Sequence, residues 1–229
     1  MTPYASLENT RCRPLNKGVT MHGTRSLLLL ALSAAALPAF AEACAVDRTA
    51  MLALTPAQFD QNLEGGWRPM AEKAECQLAA ADLIAAYRAQ PKAAGNTTMI
   101  WHEAQMRAQA GQDAQAVTLM RQTYKPAPDA GGWNPYVDAS VALIEKDHPA
   151  LAAARATLAA LPAPPGTDVE NGFFDFTMPN GEVVQVAWPP NLDIVDAFVR
   201  CFGQSYRQAF SHQACRHPDT SAAPQGSTP

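Results

Sequence analysis

The sequence predicts an all-α fold of stacked antiparallel helical hairpins, with a small β-hairpin before a long C-terminal helix. Apolar residues recur at three- and four-residue spacing in most segments after residue 68, as they do on one face of a helix. Proline and glycine clusters cut these segments into short pieces, and short connections place consecutive helices side by side in opposite directions. An alternation of apolar and polar residues, which is typical of strands, marks residues 172–188.

Capping residues and helix breakers predict where the helices begin and end. Helices are expected over residues 69–88, 97–110, 113–124, 135–146, 149–161 and 192–211. Thr97 or Thr98 can cap the second of these helices and Asp147 the fifth, because short polar side chains accept hydrogen bonds from free N–H groups of the first turn. The last helix has the strongest amphipathic pattern and is expected to continue toward Cys215.

The segment of residues 172–188 is predicted to form a β-hairpin. Its apolar side chains alternate with polar ones on both sides of a turn at Asn180-Gly181. Since an isolated hairpin is only marginally stable in water, we expect its apolar faces to lie on the helices.

The N-terminal region resembles an export signal. An apolar run over residues 27–37 follows Arg25 and leads into small residues ending at Ala41, which predicts a signal peptide over residues 21–41 that is cleaved after Ala41. The run is shorter than the roughly 20 apolar residues that cross a bilayer. Residues 1–20 precede this signal and are interpreted as an over-long translation start. The protein is therefore expected to be periplasmic or secreted, without a transmembrane segment.

The remaining chain is predicted to contain one helical-repeat domain, residues 42–216. Residues 217–229 are polar and proline-rich and are predicted to form a disordered tail. The chain carries 17 Lys and Arg residues against 21 Asp and Glu residues, and its basic residues are not clustered. Because phosphate binding requires clustered positive charge, nucleic acid is not expected as a partner.

Four cysteines remain after the predicted cleavage, and an oxidising compartment favours two disulfides among them: Cys44, Cys76, Cys201 and Cys215. If the last helix is continuous, Cys201 and Cys215 are roughly 21 Å apart along its axis, which is too far for a bridge. Cys76 is therefore expected to pair with Cys201 or Cys215. A helix break near Gly203 or beyond Ser211 would remove this argument.

Cys44 has an alternative role as the lipidated first residue of a lipoprotein. The residues before it, Ala41-Glu42-Ala43, lack the leucine that such signals carry and place a charge in the middle. A lipid anchor is therefore not expected.

A repeated phrase connects two parts of the chain, since Gly65-Gly66-Trp67-Arg68-Pro69 returns as Gly131-Gly132-Trp133-Asn134-Pro135. Around it, residues 67–162 resemble tetratricopeptide-type repeats, which are helix pairs of about 34 residues. The residues that carry the resemblance are Ala104, Gly111, Ala116, Met120 and Pro128. Glu103 and Arg107 depart from it, since the family has Leu and Tyr there. The resemblance implies that a concave face binds a peptide or a protein.

Known catalytic and metal-binding patterns are incomplete in this chain. His102-Glu103 begins a zinc-protease signature, but Met106 replaces its second histidine. His212, Cys215 and His217 lie close together, but Cys215 is expected in a disulfide. No activated serine or cysteine is found either. Catalytic, cofactor-binding and metal-binding residues are therefore not predicted, and enzyme activity is not expected.

The candidate ligand groove consists of Trp101, His102, Gln105 and Trp133. Tryptophans after glycine pairs can stack on a ligand, although packing between adjacent hairpins is their commoner role. The sequence thus predicts an exported helical-repeat module that binds a protein or peptide in the cell envelope. The alternative is a small envelope enzyme or small-ligand-binding protein with a site near His102 and Glu103. The oligomeric state is not predicted.

Overall fold

The computed structural model describes residues 43–129, 131–178 and 181–217, which all fall within one compact unit. The expected translation start over residues 1–20, the signal peptide over residues 21–41 and nearly all of the predicted tail lie outside the described residues. The described part is mostly helical, with one two-stranded antiparallel sheet, which confirms the predicted class at this coarse level.

The elements follow one another along the chain with short connections. The α-helices are α1 (Arg48–Ala53), α2 (Arg68–Ala71), α3 (Gln77–Arg88), α4 (Thr97–Gln109), α5 (Asp113–Arg121), α6 (Trp133–Glu145), α7 (His148–Ala159), α8 (Leu192–Arg200), α9 (Tyr206–Ser211) and α10 (Gln213–Arg216). A π-helix spans Ala57–Gln61, and 3-10 turns span Ala74–Cys76 and Pro91–Ala93. The strands are β1 (Phe173–Thr177) and β2 (Val183–Ala187).

Consecutive helices pack against each other, most closely α3 with α4, α4 with α5, and α6 with α7. Asp147 caps α7 as predicted, since its side chain accepts a hydrogen bond from the Ala150 N–H at 2.9 Å. Asn96, and not Thr97 or Thr98, caps α4 by accepting a hydrogen bond from the Met99 N–H at 3.1 Å. The finer prediction of tetratricopeptide-like stacking stays a prediction.

The predicted helix over residues 69–88 is wrong, because the chain turns extended at Lys73 and divides it into α2 and α3. At this break the Lys73 ammonium donates a hydrogen bond to the Ala43 carbonyl at 3.0 Å. Cys76 follows the break and forms a disulfide with Cys44. The tertiary contacts of the N-terminal segment thus override a continuous helical pattern.

The predicted long C-terminal helix is also wrong, because it is divided into α8, α9 and α10. Gly203 adopts a φ of 92°, a left-handed conformation that a helix interior does not accept. Ser205 and Gln208 then form a reciprocal capping box that starts α9. The chain folds back, so that Cys201 and Cys215 approach to a Cα–Cα distance of 5.7 Å and form a disulfide.

The predicted pairing of Cys76 with Cys201 or Cys215 is therefore wrong, although the prediction of two disulfides is confirmed. Both bridges are local, since Cys44–Cys76 and Cys201–Cys215 each join residues less than 35 positions apart. A continuous last helix would hold Cys201 and Cys215 apart, whereas the break after Cys201 brings them together.

The β-hairpin forms as predicted, with Phe174 opposite Val186 and Phe176 opposite Val184. Phe173 and Phe176 are each 47% exposed and Val183 is 58% exposed. The helices therefore do not cover these side chains, contrary to the expectation that the apolar faces of the hairpin lie on them.

Two hydrophobic clusters make up the core, and α4 contributes to both. Trp101, Ala104 and Ala108 belong to a cluster with α5 to α9, whereas Met99 and Met106 belong to a cluster with the π-helix, α2 and α3. A helix enclosed in this way has apolar residues on more than one face.

The buried part of α4 also carries an ion-pair network. Glu103 accepts hydrogen bonds from Arg88 and from Arg107, the latter at 2.7 Å, and Arg107 also contacts Asp82 at 3.2 Å. Glu103 and Arg107 are both at least 95% buried. Their charges are thus paired with one another inside the protein.

Within the described ranges, every helix is too short or too polar to cross a lipid bilayer. Disulfides, in turn, form and persist in oxidising compartments.

The disulfide pairs can be checked by digesting the unreduced protein and identifying the linked peptides by mass spectrometry. We expect linked peptides for Cys44 with Cys76 and for Cys201 with Cys215. Replacing both Cys201 and Cys215 with Ser should lower the free energy of unfolding by about 3 kcal/mol. The bridge restricts the unfolded chain by closing a loop, and without it the unfolded chain gains conformational entropy. A peptide that joins Cys76 to Cys201 or Cys215 would contradict the structure.

Candidate functional site

A cavity of about 290 Å³ lies beside α4 and is lined by all four residues of the predicted ligand groove, Trp101, His102, Gln105 and Trp133. Tyr136 and Phe210 complete its apolar wall. Three helices that are far apart in the sequence, α4, α6 and α9, therefore supply its main side chains. The structure brings the four predicted residues together, and their role in binding stays a prediction.

A second cavity of about 360 Å³ adjoins the first and shares His102, Gln105 and Phe210 with it. We call the two cavities together the α4 groove. Thr98 lines one cavity and Gln109 the other. With a rise of 1.5 Å per helical residue, these two residues are roughly 16 Å apart along α4, the length of about five residues of extended chain.

Three aromatic rings form the wall of the first cavity. The Trp101 ring centroid lies 4.8 Å from that of Trp133 and 5.1 Å from that of Tyr136. The Trp133 indole N–H also donates a hydrogen bond to the Thr123 carbonyl at 2.8 Å. Trp101 is nearly buried and Trp133 is partly exposed, so Trp101 supports the wall and Trp133 presents more of its surface to the cavity. The wall is thus fixed by packing before any ligand arrives.

Lys125 provides a positive charge at the rim of the same cavity. Its ammonium lies 5.0 Å from the centre of the Trp133 ring, a cation–π contact. Within the described part of the chain, the ammonium has no carboxylate partner. This end of the α4 groove therefore combines apolar surface with one unpaired cation.

At the junction of the two cavities, His102 is paired with a buried carboxylate. The Nδ1 atom of His102 lies 2.7 Å from Oδ1 of Asp60, which is fully buried. The same oxygen accepts a hydrogen bond from the Trp67 indole N–H at 3.0 Å, and the other carboxylate oxygen accepts one from the Gln61 amide at 2.5 Å. Three donors thus hold the carboxylate, and the carboxylate holds the imidazole ring.

The backbone around Asp60 is fixed as firmly as its side chain. Asp60 lies in the π-helix, a rare structure that often occurs at functional sites. The Arg68 guanidinium donates two hydrogen bonds, at 3.1 and 2.8 Å, to the Asp60 carbonyl. Gly66 has a φ of 59°, and a Cβ atom there would lie 1.9 Å from the Phe59 carbonyl oxygen. Only glycine allows the chain to pass this close to the π-helix.

The charge state of Asp60 follows from these contacts. Burial by itself raises the pKa of a carboxylate. The hydrogen bonds from His102, Trp67 and Gln61, together with the attraction that the His102 ring exerts when it is protonated, lower the pKa of Asp60 below its ordinary value of 3.8. Asp60 is therefore ionised at neutral pH and accepts hydrogen bonds without donating any.

Tyr136, which lines the first cavity, adjoins Tyr206, and both side chains are almost completely buried. Burial raises the pKa of both hydroxyls, so they stay neutral. The Tyr206 hydroxyl adjoins Gln105, Tyr136 and Ser140 but forms no hydrogen bond of ordinary geometry with any described residue. A buried polar group of this kind is uncommon, and it lies directly behind the Gln105 side chain.

Glu103 does not share a site with His102, although the two are adjacent in the sequence. Glu103 is held between Arg88 and Arg107 on the buried side of α4. His102 is partly exposed, at 16% of its side chain, and lines both cavities. The partner of His102 is Asp60 and not Glu103.

Sequence reasoning missed Asp60, Tyr136, Lys125 and Phe210. Asp60 lies 42 positions before His102, so no local spacing connects them. Pro56 directly precedes the π-helix that carries Asp60, but nothing near it in the sequence points to His102. Among the described residues, His, Cys, Asp and Glu side chains form no group of three that could hold a metal ion.

Asp60 should contribute stability that depends on pH. Because its pKa is lowered on folding, the contribution is fully present above the ordinary pKa of 3.8 and disappears as the pH falls through the lower folded value. Replacing Asp60 with Asn should lower the free energy of unfolding by about 2 kcal/mol at pH 7, since charged hydrogen bonds are lost, and by less at pH 3.

Urea unfolding at pH 7 and pH 3 measures this difference. The exposed Asp168→Asn variant is the matched control and should unfold like the wild type at both values. A deficit of Asp60→Asn that is equal at both pH values would contradict the assignment of an ionised Asp60.

No protein-family model, no curated protein and no solved structure matches the chain. The resemblance of residues 67–162 to tetratricopeptide repeats stays a prediction for this reason.

Proposed function

We propose that the protein is an exported module whose α4 groove binds an extended peptide segment. The observation that carries this proposal is that two neighbouring cavities share the lining residues His102, Gln105 and Phe210. Two cavities meet at His102, Gln105 and Phe210 and together extend along α4 for the length of about five extended residues. A compact small molecule would need one cavity, whereas an extended chain uses both.

The chemistry of the groove changes along its length in a way that suits a peptide. The aromatic end, with Trp133 and Tyr136, offers apolar surface for one side chain. The middle offers the polar groups of His102 and Gln105, which can pair with a peptide backbone. At the far end, Arg68 and Glu72 line the second cavity and provide charges of both signs.

Location outside the reducing cytosol is part of the proposal. It is supported by the predicted signal peptide and by the two disulfides. The resemblance to tetratricopeptide repeats, which implies peptide or protein binding, supports the same class of ligand.

A groove-blocking variant tests the proposal. An array of seven-residue peptides is first screened against the mature chain, residues 42–229, and the best peptide is measured by fluorescence anisotropy. Thr98→Trp places a large ring in the first cavity and should weaken binding by at least about tenfold, because it competes for the volume the peptide occupies.

The matched control is Thr118→Trp, which adds the same ring at an exposed helical threonine of α5 that lines no cavity described above. It should bind like the wild type. Equal loss in both variants, or no selected peptide at all, would overturn the peptide-binding proposal.

A second candidate, hydrolysis of the bound ligand, is favoured by the contact between Asp60 and His102. A carboxylate that fixes a histidine is an arrangement used in general-base catalysis. The imidazole would take a proton from water, the hydroxide would add to a carbonyl carbon, and the proton would pass to the leaving group. Hydrolysis of a p-nitrophenyl ester by the wild type, lost in His102→Gln, would support this candidate. Equal rates in the two proteins would remove it.

A further inference from the structure

Asp60 determines which nitrogen of His102 carries the proton. An ionised carboxylate only accepts hydrogen bonds, so the Nδ1 atom, 2.7 Å from Oδ1 of Asp60, must be the protonated nitrogen. In a neutral imidazole the other nitrogen, Nε2, then carries a lone pair. As long as the ring is neutral, the buried carboxylate thus leaves Nε2 as a hydrogen-bond acceptor.

The acceptor lies at the middle of the groove. His102 lines both cavities, and no described residue forms a hydrogen bond with its Nε2 atom. Gln105, one helical turn further along α4, also lines both cavities and carries an amide that donates and accepts. Phe210 faces the same junction and offers no polar atom. At this point of the groove, His102 and Gln105 are therefore the residues that can form hydrogen bonds with a ligand.

An extended peptide brings a backbone N–H donor and a carbonyl acceptor with every residue, and both need partners when the peptide is buried. Resting on the proposed peptide-binding function, we propose that the α4 groove recognises the peptide backbone at its midpoint. Nε2 of His102, held as an acceptor by Asp60, takes one backbone N–H, and the Gln105 amide pairs with a neighbouring backbone group. The groove does not distinguish between peptide side chains at this position. Its preference for particular peptide sequences comes from the aromatic cavity.

Acidification reverses the role of His102. A protonated imidazole has N–H groups on both nitrogens, so Nε2 then faces the peptide donor as a second donor. Besides Asp60, the charged groups around the groove are Lys125 after α5, Arg68 and Glu72 next to α2, and Arg207 on α9, which donates to the Gln109 carbonyl.

The charged groups on the buried side of α4 are already paired with one another. Glu103 contacts Arg88 and Arg107, and Arg107 also contacts Asp82. None of these four lines either cavity of the groove. Protonation of the ring should consequently lower peptide affinity, which is compared at pH 8 and at pH 5.

The tautomer is tested without a ligand by ¹⁵N NMR of the imidazole rings in the mature chain, residues 42–229. In its neutral form the ring of His102 should carry its proton on Nδ1. A ring protonated on Nε2 would overturn the inference, whatever the peptide experiments show.

The peptide contact is tested with the selected seven-residue peptide, in a form with blocked ends and no Asp, Glu or His. Its dissociation constant should rise about fivefold from pH 8 to pH 5 with the wild type. His102→Gln keeps an acceptor that does not titrate, so its affinity should change by less than about twofold over this range. His148→Gln, in a histidine that packs on Phe202 away from the groove, is the matched control and should keep the fivefold change.

An ester scan identifies the donor. Replacing each backbone amide of the peptide with an ester in turn removes one N–H at a time. Ester substitution at one peptide position should weaken binding to the wild type by about fivefold. The same substitution should have little effect on binding to His102→Phe, which has a ring but no acceptor.

The outcomes separate the two proposals. A peptide that binds in the groove with no pH dependence, or with no position of the scan coupled to His102, overturns the inference and leaves the proposed function standing. Failure to select any peptide overturns the proposed function, and the NMR measurement still decides the tautomer.

Discussion

Enclosure of α4 between two hydrophobic clusters is the constraint on which the rest of the structure depends. A polar group buried without a partner costs about 1–3 kcal/mol, so each polar side chain on this helix must find a partner. Glu103 pairs with two arginines, and the Gln109 side chain accepts a hydrogen bond from the Gln77 amide at 2.6 Å. These contacts come from different sides and fix the rotation of α4 about its axis. The face of α4 that is left without such partners carries His102 and Gln105 and lines the groove.

The pairing of His102 with Asp60 is the part of this arrangement that packing alone does not explain. An apolar residue in place of a buried carboxylate would avoid the cost of removing a charge from water. The chain instead supplies Trp67, Gln61 and His102 as donors to Asp60 and fixes its backbone with Arg68. Preorganisation of this kind is typical of binding and catalytic sites, because the groups need no rearrangement when the ligand arrives.

The errors in helix length and in cysteine pairing share one cause. Amphipathic periodicity predicted continuous helices over residues 69–88 and 192–211, and both are interrupted. The second break had a local signal, because Gly203 and the capping pair of Ser205 and Gln208 are visible in the sequence. The first break, at Lys73, depends on contacts with the N-terminal segment and had none. The disulfide pairs followed from these breaks, since a bend places Cys201 beside Cys215 and a continuous helix does not.

The sequence by itself determined the helical class, the β-hairpin, most helix boundaries, the presence of two disulfides and four residues that line one cavity. These features depend on neighbours within a few positions, where periodicity and capping act directly. Tertiary structure decided the pairing of the cysteines, the partner of His102, the burial of Glu103 and the meeting of two cavities into one groove. Each of these features brings together residues that are far apart in the sequence. The packing of the helices sets the distance between such residues, and their separation along the chain does not predict it.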